Sequence, residues 1–533
     1  MLNQQPGHPG PHGPAPEHPD PEPLHVPSHR SKHRRSSCPT PQVRAHRGRA
    51  GGGSWGTPGL WLGAVDNRGH PPPRWATLPH RGTRQRIGWV RRGIRWVGVR
   101  RTRVLGIGVG VWHPRSGSGL RGNGFSRLWA ASGVSNLGDG VYGTALPLLA
   151  ATLTRDPLLV SLVSFAEWLP WLLFGLLSGA LLDRWDRRRV MWAVDAGRFA
   201  VVGGLAVAVL LDQASIALLA AVGFLLGSGQ TLVDTGAQSI LPALVSRDAQ
   251  RLEWANGRLV GTQVVTQELA GPPVGGFLFS AATWVPFAVD AVSFAAGSAL
   301  VASIRGHFGP APGELGPGGR PATLRSEIAE GLRWLAAHRV LRATAAMVAV
   351  VNLLAMGGSA VMVLFAQELL GLDAVGFGLL LSGSAVGGVL GSLVAGRSAR
   401  VVGTARIIVG TMVLSALAFL VFGLSSEPWL AGAMFGLVGF LTVVFNVVMG
   451  SLRQALTPDR LLGRVISAFR LFSYGSVPLG SLLGGVLARS FGLRAPFLVA
   501  GVVIPVVALL CLPAINPRTI AEARSAAGLE PRP

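Results

Sequence analysis

Acidic residues occur inside long apolar stretches of the sequence, where a charge is costly to keep. Asp139 lies in the middle of one stretch, and Glu268 lies in another, next to Gln267 and one turn before Pro272. A charge placed in hydrocarbon costs several kcal/mol unless it is paired or hydrated, and a carboxyl group can avoid that cost by binding a proton. We therefore predict that Asp139 and Glu268 exchange protons. The alternative for each is a permanently protonated acid in an interhelical hydrogen bond.

Uncharged polar side chains accompany these acids. Asn136 precedes Asp139 by three residues, and Gln263 and Gln267 share one helical stripe with Gly271. Polar groups on the inner face of a helical bundle are typical of a ligand cavity. Asn136, Gln263 and Gln267 are therefore the predicted lining of a substrate cavity.

Five further residues in the apolar stretches have simpler interpretations. Glu167 and Asp290 are expected to form structural hydrogen bonds between helices. Trp168 and Trp171 are expected to anchor a helix at the membrane surface, which is the common role of tryptophan there. Arg470 either holds an anionic group or extends to the inner membrane surface.

A short motif with glycine, aspartate and four arginines, GALLDRWDRRR, occupies residues 179–189. Gly179 allows two helices to approach closely, and Asp183 falls at the membrane edge, where a carboxylate can cap a neighbouring helix N-terminus. An anchor at the inner surface would explain the arginines but not Gly179 or Asp183, so the motif indicates a conformational switch. Its predicted members are Gly179, Asp183, Arg184, Arg187, Arg188 and Asp234, the last as a partner of Arg187.

A second motif, GPPVGG, begins at residue 271. Proline kinks a helix, and glycines let a partner helix come close. Gly271, Pro272, Gly275 and Gly276 are therefore predicted to form a helix-packing element.

These residues lie on a series of apolar stretches separated by short polar breaks. Each stretch has about 20 residues or more, enough to cross about 30 Å of hydrocarbon. Only 14% of all residues are charged, against about 25% in soluble domains, which excludes an ordinary soluble enzyme. The twelve predicted helices cover residues 127–153, 158–182, 190–211, 215–236, 259–281, 285–304, 343–369, 374–397, 405–424, 428–450, 462–488 and 495–514.

Arginines are distributed unequally among the polar breaks. Nineteen lie in breaks after even-numbered predicted helices, and three, Arg155, Arg489 and Arg494, lie in breaks after odd-numbered ones. Loops rich in arginine stay in the cytoplasm. We therefore predict a multi-pass protein of the bacterial inner membrane with cytoplasmic N- and C-termini.

The longest break divides the predicted helices six and six. It contains a Gly/Pro-rich linker and an amphipathic helix with Ile328, Leu332 and Leu335 on one face, which either lies on the inner membrane surface or tethers the two halves. Similar segments around Asp248 and Asp459 lie 211 residues apart, as expected for two related halves. The predicted domains are a tail at 1–122, a six-helix bundle at 123–304, a cytoplasmic linker at 305–342, a second bundle at 343–514 and a cytoplasmic tail at 515–533.

The first 120 residues carry most of the net charge of +23 and are rich in Pro, Gly, His and Arg. This composition predicts disorder. We interpret the segment as translation upstream of a valine start codon near Val104–Val111, and an arm that binds nucleic acid or anionic lipid is the alternative.

The arginine motif resembles the sequence between helices 2 and 3 of the major facilitator superfamily. GPPVGG resembles an element of its drug/proton antiporters, and residues 127–149 and 290–297 resemble the branch that contains the enterobactin exporter and macrolide efflux pumps. The resemblance covers about residues 123–514. Asp186 replaces the usual glycine of the first motif, and the arginine that many antiporters carry in the fourth helix is missing from 227–238. The matching residues of the first motif are Gly179, Leu181, Asp183, Arg184, Arg187 and Arg188.

The resemblance implies an all-α membrane protein of two pseudo-symmetric six-helix bundles around a cavity that opens alternately to each side. It implies a secondary active transporter that exports a small amphiphilic molecule, such as a drug, macrolide or siderophore, with protons as the coupling ion. The alternatives are a nutrient importer or facilitator of the same fold and, more remotely, a nucleic-acid or lipid binder acting through the N-terminal segment.

Catalytic and cofactor chemistry is not expected. The sequence has no P-loop, and its two cysteines exclude a cysteine metal site. The predicted partners are the small-molecule substrate, protons and the lipid bilayer, without nucleic acid, and a monomer is favoured.

Overall fold

The computed structural model describes residues 124–175, 177–182, 185–245, 248–306, 308–309 and 324–526, all within one compact unit, Val111–Pro533. The predicted N-terminal tail at 1–122 therefore lies outside the described residues, as do Asp183 and Arg184 of the arginine motif. All regular structure in these ranges is helical, as predicted for the fold class.

The N-terminal half forms eight helices and one π-helical turn. These are α1 (Gly124–Leu153), α2 (Pro157–Phe174), α3 (Leu177–Leu182), α4 (Arg187–Leu210), α5 (Ile216–Val245), α6 (Ala249–Gln263), the π segment (Val264–Ala270), α7 (Gly271–Ala281) and α8 (Val285–Ala302).

A connecting helix, α9 (Leu324–Ala337), precedes the C-terminal half. The helices of that half are α10 (Arg339–Glu368), α11 (Ala374–Val402), α12 (Thr404–Leu424), α13 (Pro428–Leu456), α14 (Asp459–Phe491), α15 (Ala495–Cys511) and α16 (Pro517–Ala526). Each of the twelve predicted stretches overlaps one helix, except 158–182, which overlaps α2 and α3, and 259–281, which overlaps α6, the π segment and α7.

Nine helices of the described chain are long and apolar enough to cross a membrane, and α15 is a shorter apolar helix. The nine are α2, α4, α5, α8, α10, α11, α12, α13 and α14. Large apolar side chains cover the outer surface, for example Phe277 and Leu393, which are 64% and 65% exposed. A surface of this kind requires lipid rather than water around it.

The same helix pairs pack together in both halves. The contacts α1–α8, α2–α5, α4–α5, α4–α8 and α1–α7 correspond to α10–α15, α11–α13, α12–α13, α12–α15 and α10–α14. This repetition is the structural form of the relation between the two halves predicted from the segments at Asp248 and Asp459. The halves meet through α2 with α14 and α7 with α11.

Aspartates begin several of these helices. Asp156, Asp248 and Asp373 accept backbone N–H groups of the first turns of α2, α6 and α11, which satisfies donors that a helix leaves unpaired. Asp186 does the same for α4 through the N–H of Arg189 at 3.2 Å. The residue that replaces glycine in the arginine motif is therefore a helix cap.

The predicted kink at GPPVGG takes the form of the π segment followed by α7. Pro273 has no N–H to bond the carbonyl of Leu269, four residues earlier. Ser382 Oγ of α11 donates to that carbonyl instead, at 2.9 Å. The kink therefore also joins the two halves.

The glycines of this element lie at points of close approach. A Cβ on Gly271 would lie 2.6 Å from Gly140 Cα, one on Gly275 would lie 2.7 Å from Val141 O, and one on Gly276 would collide with Ala374 O. Larger residues do not fit there without moving a backbone, so α7 packs tightly on both α1 and α11.

The connecting helix α9 packs against α14. Leu335 is buried, Glu330 pairs with Arg464, and a Cβ on Gly331 would lie 2.5 Å from Arg464 O. The side chain of Ile328, predicted on the same face, lies outside the described residues. These contacts attach α9 to the C-terminal half, and both interpretations of this helix stay predictions.

Candidate functional site

A cavity of about 830 Å³ lies between the two halves. Its walls include the first half of α1, the second halves of α5 and α6, and the first half of α14. We call the end of the bundle where α1 begins and α8 ends the terminal side, and the cavity lies on that side. Its polar and charged lining comprises Ser132, Ser135, Asn136, Asp139, Asp195, Arg198, Gln230, Asp234, Thr235, Gln238, Asn256, Gln263, Ser467, Arg470 and Tyr474.

On the opposite side the halves are in contact. Arg155 lies 3.7 Å from Glu368 and donates to Gln367 Oε1 at 2.8 Å, and Arg489 lies 3.5 Å from Asp156. Each of these ion pairs joins one half to the other. The structure is therefore closed on the side away from the cavity.

At the inner end of the cavity, Arg198 of α4 forms the strongest polar contacts. Its Nη2 lies 2.9 Å from Asp139 Oδ1 of α1 and 2.6 Å from Gln230 Oε1 of α5, and its Nη1 lies 3.5 Å from Asp195 Oδ1. The guanidinium also lies 3.9 Å from the centroid of the Phe294 ring. Arg198 thus connects α1, α5 and α8 to α4.

This pair is deeply enclosed, since the side chains of Arg198 and Asp139 are 6% and 12% exposed. Two opposite charges in such a place compensate one another, whereas either charge alone costs several kcal/mol. Asp139 was predicted as a site of proton exchange, but its partner was not. The signal for Arg198 in the sequence is a basic residue eight positions inside an apolar stretch, three after Asp195.

Asp234 belongs to the same network. Its Oδ1 accepts a hydrogen bond from Gln230 Nε2 at 3.0 Å, and Gln230 in turn accepts one from Arg198. Asp234 also lines the cavity, four residues after Gln230 on α5. The described contacts place Asp234 in the network of Arg198, and its pairing with Arg187 stays a prediction.

The other predicted polar residues are divided between the cavity and its surroundings. Asn136 and Gln263 line the cavity, and Gln263 Nε2 donates to Gln267 Oε1 at 3.1 Å. Gln267 itself is not part of the lining. Glu268 lies on the π segment, is exposed, and does not line the cavity, so the structure does not bring it together with Asp139.

Asp290 and Tyr142 are buried behind the cavity wall. Asp290 is fully buried on α8, where its Oδ1 accepts from Ser293 Oγ at 3.2 Å. Within the described residues, Asp290 Oδ2 and Tyr142 Oη have no hydrogen-bond partner. No group of three or more His, Cys, Asp or Glu in the described ranges is placed to hold a metal ion.

Two aromatic rings from different halves stack in the cavity wall. Trp171 of α2 and Tyr474 of α14 have ring centroids 5.2 Å apart and an interplanar angle of 25°, and both line the cavity. Arg470 lies one turn before Tyr474 on the same wall. The structure therefore places Trp171 in the cavity rather than at the membrane surface as predicted.

Part of the arginine motif is visible at the terminal side. Arg188 Nη1 donates to Ile304 O at 2.6 Å, and Arg187 N donates to Phe308 O at 3.5 Å. These bonds connect the start of α4 to the end of α8. Gly179 belongs to α3, and the contacts of Asp183 and Arg184 lie outside the described residues.

Two related halves around a central cavity with buried charges define a membrane transporter of the major facilitator type. The chain belongs to the transmembrane secretion effector family of that superfamily, which it matches over residues 116–531.

The similar proteins include two bacterial efflux proteins. The multidrug efflux pump Tap of Mycobacterium tuberculosis is 30% identical over 393 residues, covering 70% of this chain and 88% of that protein. Macrolide efflux protein A of Streptococcus pyogenes is 22% identical, covering 74% and 96%.

Solved structures of similar fold have lower identity. The nucleoside transporter NupG has a TM-score of 0.59 at 12% identity, covering 74% of this chain and 99% of that one. A bacterial homologue of the iron transporter ferroportin in an inward-facing state has a TM-score of 0.57 at 17% identity, covering 73% and 98%. These likenesses concern the fold alone.

Proposed function

We propose that the protein is a proton-coupled exporter of small amphiphilic molecules, such as drugs, macrolides or siderophores. The observation that carries the proposal is the buried Arg198–Asp139 pair at the inner end of a cavity between the two halves. Efflux pumps for several drugs and for macrolides among its relatives support this class of substrate.

The proposal includes the topology. Twelve helical segments cross the membrane, six in each half, with α2–α3 and α6–π–α7 each forming one crossing. The termini are cytoplasmic, so the terminal side faces the cytoplasm and substrate enters the cavity from there. Arginines in the breaks after even-numbered helices support this orientation. The conformation described is then inward-facing, with its external side closed by the ion pairs at Arg155 and Arg489.

Proton binding at Asp139 would change the balance of the buried charges. An ionised Asp139 compensates Arg198, whereas a protonated one leaves Arg198 with Asp195 and with the Gln230–Asp234 pair. A change in pairing of a buried charge is worth several kcal/mol. That is enough to shift a two-state equilibrium, since about 1.4 kcal/mol changes an equilibrium constant tenfold.

Packing links this pair to the closed external side. Gly140 follows Asp139 and meets Gly271, the first residue of α7, and Gly276 of the same helix meets Ala374 of the other half. These contacts leave no room for an added Cβ. When α1 shifts, α7 must therefore move with it, or the two helices must separate. In this way a proton on Asp139 would loosen the contact between α7 and α11.

The test is substrate accumulation in a pump-deficient bacterial host that expresses the full-length chain. Dyes, macrolides and siderophores are compared with and without a protonophore, for the wild type, Asp139→Asn and Asp212→Asn. Asp212 is an exposed aspartate with φ 56°, a conformation that asparagine also adopts, so its variant is a matched control. Lower accumulation that requires both the proton gradient and Asp139, but not Asp212, is the expected result.

Two other results would reject the proposal. Higher accumulation of a compound in expressing cells would identify an importer. If the accumulation of every compound stays the same although the protein is correctly inserted, the export function is rejected. A variant without residues 1–120 should export normally, whereas a protein that acts through a basic N-terminal arm would lose its activity.

A further inference from the structure

A cationic and aromatic group lies on α1 and α6 and takes no part in the cavity. The guanidinium Cζ of Arg258 is 4.5 Å from the ring centroid of Trp254 and 5.3 Å from that of Trp129. Trp129 Nε1 donates to Thr262 Oγ1 at 2.7 Å, and Trp254 packs on Phe125 with ring centroids 5.2 Å apart. Both indoles are thus held in place, and we call these residues the Arg258 group.

The Arg258 group faces away from the substrate cavity. The residues of α6 that line the cavity are Asn256, Leu259, Val260 and Gln263. With 3.6 residues per turn, Arg258 projects about 150° from their mean direction. A ligand at Arg258 would therefore lie outside the path of a transported substrate.

The N–H donors of Arg258 are available for a ligand. The residue is exposed, and in the described part of the chain its contacts are with ring faces only, because no acceptor or carboxylate is within reach of its nitrogens. Asp248 caps α6 and pairs with Arg251 at 4.0 Å, and Glu253 projects about 140° away from Arg258 on the helix. A guanidinium stacked on aromatic rings still presents its donors at the edge, in the geometry that binds a phosphate through two parallel hydrogen bonds.

The surface next to Arg258 becomes apolar toward the middle of the bundle. Val265, seven residues further along the chain at the start of the π segment, is 54% exposed. Tryptophan and arginine beside an apolar surface are typical of the headgroup level of a bilayer. The site thus offers a phosphate contact and an acyl-chain contact about two helical turns apart.

We propose that Arg258, Trp129 and Trp254 bind the headgroup phosphate of an anionic phospholipid, whose acyl chain lies along Val265. The charge and donors of Arg258 select the anion, and the apolar face at Val265 selects a lipid over a free phosphate. This inference requires only that the chain is embedded in a membrane, so it does not depend on the transport proposal.

Native mass spectrometry of the full-length protein in detergent tests the site. The protein is titrated with phosphatidylglycerol, with phosphatidylcholine of the same chains, and with inorganic phosphate. We expect tighter binding of the first phosphatidylglycerol than of phosphatidylcholine, and no displacement by equimolar phosphate. Arg258→Gln should weaken that first binding about tenfold, the equivalent of about 1.4 kcal/mol. Arg258→Lys should weaken it about threefold, because lysine keeps the charge but not the planar fork.

Arg406→Gln is the matched control, since Arg406 is an exposed arginine at the start of α12 without an aromatic contact among the described residues. It should bind phosphatidylglycerol as the wild type does. Thr262→Val, which frees the Trp129 indole without changing the charge, should weaken binding about twofold to threefold. Wild-type binding by Arg258→Gln, an equal loss in Arg406→Gln, or displacement by inorganic phosphate would each overturn the assignment.

Discussion

Arg198 Nη2 of α4 and Asp139 Oδ1 of α1 lie 2.9 Å apart, and both side chains are largely enclosed within the N-terminal half. Asp195 and the Gln230–Asp234 pair surround the same guanidinium. The Arg198 guanidinium therefore contacts acceptors on three helices, and the protonation state of Asp139 decides how strongly the other acceptors interact with it. This arrangement allows stability and transport to be tested separately.

Arg198→Gln should destabilise the purified protein by about 3–5 kcal/mol, because it leaves Asp139 uncompensated in a buried place. The double variant Asp139→Asn/Arg198→Gln should recover much of that loss, since a neutral amide pair replaces the ion pair. It should still fail to export, because the asparagine side chain introduced at position 139 cannot carry a proton. Thermal unfolding in detergent and accumulation in cells measure the two effects.

The matched control is Arg470→Gln, which changes a cavity arginine for which the described residues provide no ion pair. It should change the unfolding temperature by much less than Arg198→Gln. Equal destabilisation by the two variants would show that the ion pairs of Arg198 contribute no more to stability than the cavity arginine Arg470 does. Recovery of export in the double variant would remove Asp139 from the coupling mechanism.

Apolar spacing was sufficient to predict the helices, because a bilayer requires long apolar segments with internally bonded backbones. It also identified Asp139, since a lone carboxyl group in such a segment is conspicuous. It did not identify Arg198, whose partner could only be known once the positions of α1 and α4 within the bundle were known. Pairing between distant helices is a property of the packing rather than of the local pattern.

Glu268 shows a different limit of the sequence pattern. Its predicted role in proton exchange was based on its place in an apolar stretch, next to Gln267 and before Pro272, and not on the direction of its side chain. On a regular helix Glu268 already projects about 140° from Gln263, five residues earlier, and the π segment Val264–Ala270 further alters the turn between the two residues. Gln263, which precedes the segment, lines the cavity, whereas Glu268 within it is exposed.

The stacked rings of Trp171 and Tyr474 should favour substrates with planar aromatic groups, which can stack on the same ring faces. Aromatic pairs contribute about 0.5–1.5 kcal/mol beyond simple burial, so Tyr474→Ala should slow export of aromatic compounds about twofold to tenfold relative to aliphatic ones. Tyr474→Phe keeps the ring and should behave as the wild type. Export rates for both compound classes measure the ratio, and an equal loss in the two variants would assign the effect to the hydroxyl group instead.

The ion pairs Arg155–Glu368 and Arg489–Asp156 should favour the conformation described here, because they join the halves on one side only. Exposed pairs of this kind contribute about 0.2–1 kcal/mol each. Arg155→Ala should therefore increase the labelling rate of Ser161→Cys by a membrane-impermeant maleimide roughly 1.5-fold to fivefold. The background for this experiment carries Cys38→Ser and Cys511→Ser.

Ser161 reports on this opening because it packs against Gly485 of the other half. Arg494→Ala is the control, since Arg494 bonds Gly423 O and Ser426 Oγ within its own half. It should leave the labelling rate unchanged. A charge exchange, Arg155→Glu with Glu368→Arg, should restore the slow rate, and failure to do so would assign the effect to Arg155 alone.

His338 should make the start of α10 sensitive to acid. Its Nδ1 accepts the N–H of Leu341 at 3.4 Å, and burial lowers the pKa of the imidazole below its usual 6.5. The neutral form is therefore favoured in the folded protein, and the unfolded chain binds the extra proton first as the pH falls. The contribution of His338 to stability is complete above about pH 6.5 and is lost as the pH decreases below that value.

His338→Asn isolates this effect, because asparagine also caps a helix but does not titrate. Between about pH 8 and pH 5 the unfolding temperature of the wild type should fall further than that of His338→Asn, while the two proteins should differ little at the upper end of that range. The difference between the two curves removes the contribution of all other titrating groups. Parallel curves would mean that the protonation of His338 is not coupled to folding, and that the cap at Leu341 does not depend on the neutral imidazole.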